Sequence, residues 1–92
     1  MGSKQLIKPE RIGEKVFNIR LGLGLTQEQM FELLTDHGAK IHLGYIARYE
    51  SNERIPTLLV TLAYARAAGI AMEILVDDEL DLPKKIPGRS KK

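Results

Sequence analysis

The sequence predicts an all-α fold: one compact domain of five short helices, followed by a flexible basic tail. Three observations point there. Apolar residues recur at helical spacing in successive segments, Gly, Asn and Pro punctuate those segments, and nothing in the chain alternates in the manner of a strand. Ninety-two residues suffice for one domain with a modest core, and 43% hydrophobic with 28% charged residues suits a globular chain. The expected division is a flexible N-terminus over 1–8, a folded domain over 9–79 and a basic tail over 80–92.

The first helix is expected from Pro9, whose missing N–H is harmless in a first turn, through Ile12, Val16, Ile19 and Leu23. Gly22 and Gly24 are expected to end it. Thr26-Gln27-Glu28-Gln29 is a capping box, in which the Thr26 hydroxyl accepts from an amide three residues on and Gln29 reaches back. Met30, Leu33 and Leu34 form the inward stripe of this second helix, and Gly38 stops it. His42 opens a third helix with Ile46 and Tyr49 inward. Asn52 tolerates the left-handed conformation that closes a helix. Pro56-Thr57 starts a fourth, running through Leu58, Leu59, Leu62, Ala63 and Ala67 to Gly69. A short fifth covers about Ala71 to Asp78, and Leu82-Pro83 and Ile86-Pro87 then break any helix.

Charge is unevenly placed. Ala67 to Asp81 carries five acids and no base, whereas Leu82 to Lys92 carries five bases and no acid. Such a division implies that the two stretches meet different surroundings. Cys is absent, which excludes disulfides and thiolate metal sites. No apolar run approaches the roughly 18 residues that span a bilayer, and no signal-peptide pattern opens the chain, so a cytoplasmic protein without membrane partners is expected.

Three segments, GLTQEQMFELL (Gly24–Leu34), YIARYESNERIP (Tyr45–Pro56) and LLVTLAYARAAGI (Leu58–Ile70), resemble the lambda-repressor-like (Cro/C1-type, xenobiotic-response-element) helix-turn-helix domains. The resemblance covers roughly Glu10 to Val76. It implies a bacterial or phage-like five-helix domain that lays its third helix in the DNA major groove, usually as a dimer on a two-fold-related operator. It also implies roles for particular residues. Leu43, Gly44, Tyr45 and Arg48 fall on positions facing the bases. Thr26 and Gln27, at the start of the second helix, together with His42, Ser51, Asn52 and Arg54, fall where the DNA backbone is gripped; Lys40 is a further phosphate candidate, brought near by the long connection before the third helix. Arg20 and Glu50 match a structural ion pair tying the first helix to the end of the third. One departure stands out: the connection from Leu34 to His42 is about five residues longer than the tight turn of such motifs.

Direct readout calls for Arg against guanine, Asn or Gln against adenine, or apolar surface against the thymine methyl. Arg48 is the one polar reader, with Leu43 placed for a methyl contact and Gly44 for close backbone approach. The competing reading packs Leu43 and Tyr45 into the long loop and leaves Arg48 a solvated cation. For the fifth helix, Met72, Leu75 and Val76, with Leu80 and Leu82 beyond, are the candidate interface of a homodimer; alternatively the helix only seals the core. The basic tail either holds DNA phosphates or merely solubilises the terminus.

Other features carry less. LGLGL lacks the Gly-Lys-Ser/Thr of a phosphate loop, and His37 and His42 have no third ligand, so no metal is expected. Asp77-Asp78-Glu79 lacks calcium-loop spacing and reads as a solvated face. No catalytic constellation, cofactor motif or small-molecule effector site is evident, and an enzyme is not expected. The reading is a sequence-specific double-stranded DNA-binding transcriptional regulator, in the main a repressor, located at the nucleoid when bound. The alternative is an antitoxin-like or adaptor module that holds a protein partner through its apolar C-terminal region.

Overall fold

In the computed structural model, residues 9–88 are described. Five helices follow one another: α1 (Ile12–Leu23), α2 (Gln27–Asp36), α3 (Gly44–Glu50), α4 (Leu58–Ala68) and α5 (Met72–Val76). No strand occurs among the described residues.

The core draws on every helix. Ile12, Val16, Ile19 and Leu23 make the buried stripe of α1, and they meet Met30 and Leu34 of α2, Ile46 and Tyr49 of α3, and Val60, Ala63, Tyr64 and Ala67 of α4. The Tyr49 and Tyr64 rings meet edge to face, 6.3 Å apart, a geometry the ring quadrupoles favour. Local chemistry sets the helix ends. Gly24 and Gly69 both take φ of 74°, the left-handed region open to a residue without Cβ. Thr26 and Gln29 form the reciprocal capping box, and the Thr57 hydroxyl accepts from the Val60 amide at 3.3 Å.

Several expectations are corrected. The first helix begins at Ile12, after Pro9 and Arg11, because a distant group takes the preceding amides: the Asp78 carboxylate accepts from Glu10 N at 2.9 Å and Arg11 N at 3.1 Å. Asp78 is therefore an anchor and not part of a solvated face. Gly22 does not end α1 but lies within it, where a Cβ would come within 2.6 Å of Ile86 Cγ1. The fifth helix is only five residues long. Its end is closed by buried Lys15, whose ammonium donates to the carbonyls of Ile74 at 2.7 Å and Asp77 at 2.9 Å, the favourable arrangement of a cation at a helix C-terminus.

A further correction concerns the tail. Leu80 to Gly88 is laid on the body as a strap, with Leu82 and Ile86 packed against the core and Gly88 N donating to Ala68 O at 2.8 Å. The contact is so close that a Cβ on Gly88 would collide with Ala67 O. Of the five tail bases, Lys84 and Lys85 lie on this strap; Arg89 to Lys92, like the expected flexible N-terminus over 1–8, are outside the described residues.

Candidate nucleic-acid interface

The connection from α2 to α3 is long yet tied down. Ala39 is buried and donates its amide to Leu34 O at 2.9 Å, and Ile41 packs against the core. The chain enters α3 through a turn in which Tyr45 N donates to His42 O, so α3 begins at Gly44, two residues later than the sequence suggests.

Ile46 and Tyr49 hold α3 to the core, which leaves Gly44, Ala47, Arg48 and Ser51 exposed at i, i+3, i+4 and i+7, one face of the rod. Leu43 stands at its entry, 45% exposed. Glu50, the only acid of α3, is directed inward. Arg20 Nε donates to Glu50 Oε2 at 2.7 Å and Arg20 Nη2 to Oε1 at 3.1 Å, with both side chains largely buried. Gln27 Nε2 also donates to Glu50 Oε1 at 3.1 Å, and Arg20 Nη1 reaches Leu25 O at 3.0 Å. One carboxylate thus joins α1, α2 and α3 and leaves the outer face of α3 without negative charge.

Tyr45 stands apart from the exposed face. Half-buried, its ring packs edge to face on His42 and Tyr49, and the Arg54 guanidinium lies 4.0 Å above its centroid, a cation–π contact that positions the charge. The turn carrying Arg54 is wound onto the end of α3, with Glu53 N and Arg54 N both donating to Arg48 O. Ser51 Oγ also donates to Arg48 O. Asn52 adopts φ of 65° and directs its carboxamide at α1, accepting from Gly13 N at 3.1 Å and donating to Glu10 O at 3.2 Å. Thr26 is exposed with its hydroxyl engaged in the capping box, while Lys40, His42 and Arg54 are exposed.

The expected dimer residues divide. Leu75 is 0% exposed and belongs to the core, so it cannot meet another molecule without unfolding. Met72, Leu80 and Leu82 are half-buried, and Val76 is 40% exposed. Far more exposed are Leu58 and Leu59 at the start of α4, at 68% and 70%. Sequence reasoning missed these two, and also Ala47; the spacing of Ala47 from Gly44 was the available signal.

Among the described residues no helix is long and apolar enough to cross a membrane. A family model described as Helix-turn-helix matches residues 17–75. No curated protein and no solved structure matches the chain.

Proposed function

Because the chain belongs to this helix-turn-helix family, a family of DNA-binding regulatory domains, we propose that it binds a specific double-stranded operator and represses by occupying it, with α3 in the major groove. The observation that carries this reading is the outer face of α3. Its acid is bound inward to Arg20, its cation Arg48 is exposed, and Gly44 and Ala47 are small enough for the backbone to approach base edges. Arg48 takes the role of polar reader, while Leu43 and Ala47 offer apolar contact to thymine methyls. Tyr45 positions Arg54, which with Lys40, His42 and Ser51 contacts phosphates beside the groove. Gln27 and Thr26 bring the first turn of α2 to a phosphate.

The regulator acts as a homodimer. With Leu75 in the core, the candidate surface for a second copy is Val76 with the Leu58–Leu59 pair, the two most exposed large apolar side chains among the described residues. Burying large apolar side chains from water is the driving force for such association. A Leu58→Glu, Leu59→Glu double variant that sediments as monomer, beside a dimeric native chain, supports this surface; unchanged sedimentation rejects it.

Selection of bound duplexes from a random pool tests the function. A two-fold symmetric winner with half-sites about one helical turn apart is expected. A pool that shows no enrichment overturns the regulator reading in favour of a protein-binding module.

A further inference from the structure

The strap creates a concave site that the DNA reading does not use. Between it and α1 runs a groove of about 670 Å³, within the range of small-molecule sites. It lies away from α3: Gly22, which lines it, follows Gly13 by nine residues, about two and a half turns, and so faces the opposite side of α1 from the contact with Asn52.

The charges of the groove are largely paired off within the protein, and the pairing leaves a sign. Glu14 and Asp81 are both held by Arg11, at 3.2 and 2.9 Å. The Lys15 ammonium is occupied by the carbonyls at the end of α5. Lys84 and Lys85 line the groove, are exposed, and make no ion pair among the described residues. The apolar part of the lining comes from Leu21, at 52% the most exposed apolar side chain of α1, with Leu82 and Ile86 from the strap. Asn18 completes the wall. Its Nδ2 donates to Glu14 O at 2.9 Å, which orients the carboxamide and leaves its oxygen available as an acceptor.

We propose that this groove binds a small amphipathic carboxylate, with the apolar body on Leu21 and Ile86 and the carboxylate between Lys84 and Lys85. Apolar area supplies the affinity and the two ammonium groups select the anion. Such a ligand bridges α1 and the strap on the side away from α3, leaving the outer face of α3 free. Binding is a property of the free protein and stands or falls independently of any DNA activity.

The test is a titration of the full chain with sodium decanoate, followed by backbone amide chemical shifts, with decanol and inorganic phosphate in parallel. Saturable shifts at Asn18, Leu21, Gly22 and Lys84 to Ile86 are expected with decanoate. The Lys84→Glu, Lys85→Glu double variant, altered only at exposed positions, should weaken decanoate about ten-fold while leaving decanol unchanged. Leu21→Gln should weaken both. No saturable shift at millimolar decanoate, equal affinity for decanol, equal response to phosphate alone, or shifts centred on Leu58 and Leu59 would each overturn the assignment.

Discussion

The carboxamide of Asn52 closes on the backbone of Gly13, accepting its amide at 3.1 Å and donating to the Glu10 carbonyl beside it. The exit of α3 is thereby fixed to the entrance of α1. Nothing larger than hydrogen fits at position 13, where a Cβ would lie 2.5 Å from Asn52 Oδ1 and 2.9 Å from Tyr49 O. Gly13→Ala is therefore expected to destabilise the fold by ~1–3 kcal/mol, despite alanine's better helix propensity, because the gain is smaller than the overpacking cost. Urea denaturation measures it, and a variant as stable as the parent would show the contact to be loose.

Acid should release the N-terminus of α1. Amides of Glu10 and Arg11 donating to Asp78 hold its carboxyl below its usual value of 3.8. For an acid whose folded pKa is depressed, the stabilisation is present above the unfolded value and lost as pH falls through the folded one. Asp78→Asn should therefore be less stable than the native chain at neutral pH, with the difference shrinking below about pH 4. Urea midpoints at pH 7 and pH 3 decide it; a constant difference would assign the effect to shape instead of charge.

The Tyr64 hydroxyl is buried and makes no hydrogen bond among the described residues. Burial pushes its phenol far up, with Glu50 and Tyr49 adding to the shift, so the ring remains neutral throughout the ordinary pH range. An unpaired buried hydroxyl carries a desolvation penalty of about 1–3 kcal/mol. Tyr64→Phe should accordingly be neutral or stabilising. A raised or unchanged thermal midpoint fits; a loss of several degrees would mean that the hydroxyl has a partner.

For readout, Arg48→Ala is expected to lose ~1–3 kcal/mol of binding at one base position of the selected operator. Affinities across single-base operator variants check it. A uniform loss on every sequence would make Arg48 a phosphate contact.

Much of the fold was legible because its determinants are local. The capping box at Thr26 and Gln29, the stops at Gly24 and Gly69 and the start at Thr57 each depend on neighbours within a few residues. What escaped depends on partners far along the chain. Asp78 reads as one acid in a run until Glu10 and Arg11 are brought beside it, and no neighbour of Lys15 in sequence announces the α5 carbonyls that it meets. Gly22 looks like a stop because Ile86, the residue it accommodates, is 64 positions away. Leu75 and Val76 could not be told apart, since five residues make too few turns for periodicity to choose a side. At the candidate site, Arg48 is conspicuous by its charge, whereas Ala47 has no chemistry that draws notice before the helix is built.

The distance between Asp78 and the amides it accepts has a temporal consequence. A ribosome delivers α1 first, and the carboxylate that completes its N-terminus comes 67 and 68 positions later. Until that carboxylate has emerged, the leading helix carries open amides and the Lys15 ammonium has no carbonyls to meet. Contacts so distant in sequence form only after a large loop has closed. The nascent chain thus acquires the finished N-terminus of α1 only after α5 and the acidic residues that follow it have been made.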